Sequence, residues 1–246
     1  MDEAGVANRA AQLPPEVIAP GFKPEFAAVK WGAALGDSYH DTMLMDWTVF
    51  QAGIDAEAEG YSAVVIDTVS DSGLRALRSR LSIPVVGPGE CAFHAAMMLG
   101  KKFAVLTMWD EWFPLYEKTL TEYGFWPRCS GLRSIRTRPD LSELLEGKEE
   151  VIFAKLKAEA EAAMAEDGAD VIVSLDADFL GDRDLHAVDE VTVPQRLEDR
   201  VGEALHQQIL HGLFAQIMVD PVNLVLLEDG PNRDVQLARR REVLAE

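Results

Sequence analysis

Ala58-Glu59-Gly60-Tyr61-Ser62-Ala63-Val64-Val65-Ile66-Asp67-Thr68 closes a helix and opens a strand. Gly60 stands where a helix commonly ends in a left-handed residue. Ala63 to Ile66 is a short continuous apolar run, which suits a parallel strand covered on both faces. The order returns in Glu166-Asp167-Gly168-Ala169-Asp170-Val171-Ile172-Val173-Ser174-Leu175-Asp176, at an offset of 176 − 68 = 108. At that same offset Ile83-Pro84-Val85-Val86 falls on Val191-Thr192-Val193-Pro194. The echo fits two related halves, each presenting a polar strand end, or two copies of a unit common to all α/β chains.

Working outward, the same alternation continues. Glu25 to Trp31 reads as a first strand, and Gly36-Asp37-Ser38 offers N-cap chemistry for a helix carrying Met43, Trp47, Phe50 and Ile54. Residues 72–80 read as helix, 83–86 as strand, 91–99 as helix and 102–107 as strand. Helical patterns follow over 110–123 and 149–166, then a strand over 170–173. Leu197 to Met218 reads as an amphipathic helix and Val222 to Leu227 as strand-like. Strands alternating with helices predict βα units and a mostly parallel sheet. Pro14, Pro15, Pro20 and Pro24 make the N-terminal stretch read as an extended arm.

Composition narrows the partners. The 246 residues hold 23 Lys and Arg against 42 Asp and Glu, a formal charge of −19. Such a charge repels phosphate backbones and anionic lipid, so neither nucleic acid nor a membrane surface is expected as a partner. Two cysteines, Cys91 and Cys129, make neither a disulfide scaffold nor a structural zinc site. The polar, acidic start and the lack of a long apolar run predict a cytoplasmic protein.

In parallel α/β sheets ligands bind at the carboxyl ends of strands, which selects four loops. Asp67-Thr68-Val69-Ser70-Asp71-Ser72-Gly73 follows the buried strand and gathers hydroxyls and free N–H groups; it fits a carboxylate or plain helix capping. Gly87-Pro88-Gly89-Glu90 turns sharply, as a ligand loop or a structural turn does. Thr107 ends a strand, where its hydroxyl can donate to a substrate carboxylate or merely cap. Asp176 lies just beyond an apolar strand, where burial raises a carboxyl pKa towards the range useful for proton transfer. Asp37, Tyr39 and His40 form a further polar group, His40 suiting acid–base work or a plain surface position. His94 reads as a packed helix residue. No dinucleotide-binding glycine pattern, P-loop, nucleophile elbow or zinc-protease motif occurs.

Several of these stretches together resemble the aspartate/glutamate/hydantoin racemase superfamily, in its hydantoin-racemase-like branch. They are Ser38-Tyr39-His40-Asp41, Val64 to Leu74 (VVIDTVSDSGL), Ile83 to Glu90 (IPVVGPGE), His94, Phe103 to Thr107 (FAVLT) and Glu166 to Val173 (EDGADVIV). The resemblance covers roughly residues 25–176. It implies an α/β fold of two similar parallel-sheet, flavodoxin-like lobes about a pseudo-twofold axis, with the site in the cleft between them. The matching boundaries are an arm over 1–24, a first lobe over 25–100 that 220–246 can complete, and a second lobe over 101–219. It also implies an enzyme without metal or organic cofactor, a small anionic or cyclic amide substrate, and a homo-oligomer.

Racemases of this family place one cysteine on each lobe, on opposite faces of a carbon acid. Carried over, those positions fall on Thr68 and Asp176 as catalytic residues, with Ser70, Asp71, Thr107, His40 and Glu90 as substrate-binding residues. A thiol titrates within reach of neutral pH, whereas a threonine hydroxyl needs a separate base. One competent base, Asp176, fits one-sided proton transfer, decarboxylation, elimination or water activation better than two-base racemisation. The alternatives are therefore a lyase, decarboxylase or hydrolase using Asp176 alone, or a non-catalytic protein that binds small anions.

Overall fold

The computed structural model describes residues 21–33, 35–68, 70–138, 149–174 and 223–229, together with 6, 7, 10, 11, 13 and 18. Its elements run β1 (Phe22–Ala28), α1 (Tyr39–Gly53), α2 (Ala56–Glu59), β2 (Ala63–Asp67), α3 (Leu74–Arg78), β3 (Val85–Val86), α4 (Pro88–Leu99), β4 (Phe103–Thr107), α5 (Phe113–Tyr123), β5 (Cys129–Ser134), α6 (Glu149–Glu166), β6 (Val171–Ser174) and β7 (Asn223–Asp229). Among these, no helix is long and apolar enough to cross a membrane. The strands divide between two sheets.

The four-stranded sheet has the order β1-β7-β2-β3 and the three-stranded sheet the order β5-β4-β6. The second is wholly parallel. The first is mixed, which corrects the expectation of parallel strands there. β2 and β3 run parallel, but β7 inserts antiparallel between β1 and β2, with Asn223 opposite both Ala28 and Asp67. β1 begins at Phe22, three residues before the sequence places it. Pro24 lies inside it and is tolerated because β1 is an edge strand, where a missing N–H can face away from the ladder.

β5 is the element that sequence reading missed. Cys129-Ser130-Gly131-Leu132-Arg133-Ser134 has neither alternation nor an apolar run, and it pairs at the sheet edge with an irregularity opposite Phe103/Ala104. Residues 197–218 lie outside the described residues.

Two apolar clusters follow the two sheets. One gathers Val29, Val49, Val64, Ile66, Leu74, Leu77 and Val85. The other gathers Phe93, Phe103, Val105, Trp112, Tyr116, Leu120, Ile152 and Val173, with the Phe93 and Phe103 rings stacked at 5.3 Å. Tyr123 packs against both clusters.

Ser38 caps α1 by accepting the Asp41 N–H at 3.1 Å. The helix then buries Met45, Thr48, Val49 and Gly53, while Met43 and Trp47 of the expected apolar stripe stay exposed. α1 carries apolar residues on both sides, so the sheet beneath it chose the face. A direct comparison follows: Val49→Ala is expected to cost about 2 kcal/mol of stability. Met43→Ala is expected to stay within about 0.5 kcal/mol. Urea denaturation of both variants measures this, and equal losses would mean the helix is turned otherwise.

Candidate active site

Thr68 is buried at the carboxyl end of β2 and opens a loop that closes on itself. The Asp71 N–H donates to the Thr68 carbonyl at 3.1 Å, and the Ser72 N–H donates to Thr68 Oγ1 at 3.1 Å. The Ser70 and Ser72 hydroxyls meet at 2.7 Å, and both side chains are buried. Asp71 adopts φ 50°, a left-handed conformation that aspartate accepts more readily than most residues. Gly73, at φ 71°, lies so close to α1 that a Cβ there would stand 2.9 Å from the Asp46 carbonyl oxygen.

Asp71 is hydrogen-bonded to three protein donors. Its Oδ1 accepts the Gly89 N–H at 2.9 Å, and its Oδ2 accepts the Glu90 N–H at 2.7 Å and the Tyr123 hydroxyl at 3.0 Å. Gly89 and Glu90 open α4, so a carboxylate from another loop caps the orphan amides and meets the positive end of the helix dipole. The contact needs Gly87, since a Cβ there would stand 2.5 Å from Asp71 Oδ1. Burial, aided by the charge of Glu90, pushes the Asp71 carboxyl up to about 6, against the lowering pull of its three donors. The same burial, with Asp71 beside it, pushes the Tyr123 hydroxyl up.

The remaining candidates divide. Glu90 lends its amide to Asp71, while its carboxylate accepts from Arg78 Nη2 at 2.7 Å; Arg78 Nε also donates to the Val85 carbonyl. Thr107 is fully buried at the end of β4 in the other sheet, and its Oγ1 accepts from the Tyr116 hydroxyl at 3.3 Å. His40 is exposed on the first turn of α1, with Nδ1 3.0 Å from Asp41 Oδ1. His94 packs edge-on against Phe125 at 4.9 Å. β6 brings Ser174 beside Leu106, one residue before Thr107, and Asp176 lies outside the described residues.

Sequence reasoning missed Tyr123, Asp46 and Lys118. Tyr123 ends a helix and lies 52 residues from Asp71, with no local pattern joining them. The Gly73 N–H donates to Asp46 Oδ1 at 2.9 Å, and Lys118 Nζ reaches both Asp46 oxygens at 3.1 and 3.2 Å. Among the described residues, no group of three or more His, Cys, Asp or Glu side chains is arranged to hold a metal ion.

The raised Asp71 carboxyl gives a pH test. A group with a native pKa near 6 and an ordinary value of 3.8 holds its proton more tightly when folded. Its stabilisation is fully present below the ordinary value and is lost as the pH rises through the native one. Between about pH 5 and about pH 7 the wild type is expected to lose on the order of 1 kcal/mol more than Asp71→Asn. Urea denaturation at the two pH values reads the difference, and parallel losses would mean that Asp71 titrates as an exposed carboxyl does.

Comparison with known proteins agrees with this architecture. The Asp/Glu/Hydantoin racemase family model matches residues 7–173. A hydantoin racemase of Rhizobium meliloti is 36% identical over 118 residues, covering 48% of this chain and 47% of that protein. A hydantoin racemase of Pseudomonas sp. (strain NS671) is 30% identical over 192 residues, covering 78% of this chain and 72% of that protein. The crystal structure of allantoin racemase from Pseudomonas fluorescens superposes with a TM-score of 0.64 at 25% identity, over 78% of this chain and 79% of that one. Allantoin racemase from Klebsiella pneumoniae shares the fold, with a TM-score of 0.59 at 22% identity over 87% and 85%. With two thirds of its length under one family model and a curated relative matched along most of its length, the chain belongs to the Asp/Glu/hydantoin racemase family.

Proposed function

We propose that this chain is a cofactor-independent enzyme that moves a proton next to a carbonyl on a small carboxylate, a hydantoin-like cyclic amide or a related carbon acid. Family membership supports the reaction class. The observation that carries the finer reading is Thr68, a hydroxyl rather than a thiol, buried at the end of β2 among the hydroxyls of Ser70 and Ser72. In this reading the two sheets form the lobes of a pseudo-twofold pair, and the substrate lies between Thr68 and Asp176.

Thr68, Ser70 and Thr107 then hold the substrate carboxylate or the oxyanion that develops on its carbonyl, where preorganised hydroxyl donors act most strongly. Asp176 takes the α-proton, and the electron pair moves onto the carbonyl oxygen. A threonine hydroxyl is far too weak an acid near neutral pH to deliver a proton from the opposite face. The same carboxyl therefore returns the proton to the face it left, or a β-leaving group departs with the electron pair; in a decarboxylation carbon dioxide leaves in place of the α-proton, its bonding pair moves onto the remaining carbonyl, and a protonated Asp176 delivers a proton to the carbon. Asp71 and Glu90 enter as residues that shape the loop, and His40 remains a candidate substrate contact.

Incubation with both enantiomers of 5-substituted hydantoins and with α-substituted malonates in deuterium oxide tests this. The expected outcome is loss of the α-proton signal with optical rotation retained, or decarboxylation. Racemisation as fast as exchange would overturn the one-sided mechanism, and tight binding without exchange or turnover would leave an anion-binding protein. Asp176→Asn is expected to slow the reaction at least ~100-fold, the lower end of what a positioned acid–base group contributes. Thr68→Cys supplies a titratable group on the other face, so the rotation is expected to decay in that variant; turnover in both variants is expected to survive dialysis against a chelator.

A further inference from the structure

The loop from Thr68 to Gly73 belongs to the first sheet, but its outermost restraints come from a helix of the other core. α5 buries Leu115, Tyr116 and Leu120 in the cluster around β4. Two of its polar side chains, Lys118 and Tyr123, reach the other way. Lys118 holds both oxygens of Asp46, whose Oδ1 accepts the Gly73 N–H at the end of the loop. Tyr123 donates to Asp71 in the middle of the loop, and that carboxylate spans to the first turn of α4. Just before α5, Trp112 Nε1 donates to the Leu35 carbonyl at 2.7 Å, which fixes the helix against the segment leading into α1.

We propose that Lys118 and Tyr123 are positioning residues that set the conformation of the Thr68 loop from the second core, acting through Asp46 and Asp71. Each reaches the loop through one carboxylate, and each carboxylate also binds a backbone amide that fixes the chain path. A loop tied only to its own strand and helix keeps its local turn, but its buried hydroxyls can tilt with it. Tied at two points to α5, its hydroxyls keep one orientation relative to β4 and therefore to Thr107. Tyr123 matters in a second way, since it supplies a donor to a buried carboxylate that also feels the charge of Glu90 nearby. The catalytic consequence rests on the proposed function; the structural one does not.

Hydrogen exchange of the whole chain, read by mass spectrometry without substrate, separates the two. In Tyr123→Phe and Lys118→Met, amides of 68–73 and 89–90 are expected to exchange at least roughly tenfold faster, the lower end of what one lost hydrogen bond to a charged group costs. Amides of β4 and β6 should keep their wild-type rates. Lys118→Arg should restore protection, and Glu117→Gln, an exposed change on the same helix, should leave every rate as in the wild type. Unchanged loop exchange in both variants overturns the proposal, as does acceleration spread equally through β4 and β6. Where turnover is measurable, kcat should fall roughly tenfold with KM within about twofold, as expected when orientation rather than binding is lost; a rise in KM alone overturns it. Loop loosening in a protein with no turnover on any carbon acid sinks the proposed function and leaves this assignment standing.

Discussion

The buried carboxylate of Asp71 is the contact on which this arrangement turns. Placing a charge away from water is costly unless strong donors replace its hydration. Here two amides of α4 and the Tyr123 hydroxyl do so, and the helix dipole adds to them. The constraint spreads outward through geometry. Asp71 must adopt a left-handed backbone, Gly87 cannot carry a side chain, and Gly73 must press against α1. Ser-Asp-Ser-Gly and Gly-Pro-Gly-Glu, which look like two independent ligand loops in the sequence, are two sides of one interlock.

That interlock bears on the chemistry. Asp71 is buried in the loop, and its oxygens accept from protein donors. The loop also gathers three buried hydroxyls, those of Thr68, Ser70 and Ser72, the first two of which the proposed function assigns to the substrate. Hydroxyls bind and polarise carbonyls well and abstract carbon-bound protons poorly, so a base must come from elsewhere. Glu90 and Arg78 are likewise occupied with each other, in a half-exposed pair worth at most about 1 kcal/mol.

Legibility followed the range of the interaction. Elements with strong local signals, such as the apolar runs of β2 and β4 and the Ser38 cap of α1, lie where the sequence puts them. β5 escaped because an edge strand in a covered sheet needs no pattern of its own once β4 supplies the ladder. The buried face of α1 was misjudged because two apolar faces compete and only the sheet decides between them. The antiparallel place of β7 could not be read either, since a strand's direction depends on the route of the chain between the sheets. In the candidate site, Thr68, Ser70 and Thr107 could be singled out from sequence because strand ends are local features. Tyr123, Asp46 and Lys118 were not, because each acts across a sequence distance of 27 to 72 residues.

By itself the sequence determined the alternation of strands and helices, the 108-residue echo, the family and the hydroxyl at position 68. All of these are encoded in short windows or in residue identity. Only the tertiary structure decided that Asp71 accepts from helix amides, that the first sheet is mixed, and that side chains of a helix in one core reach the loop of the other. The reason is physical: a carboxylate's role is set by the donors that surround it, and those donors come together only when distant segments pack.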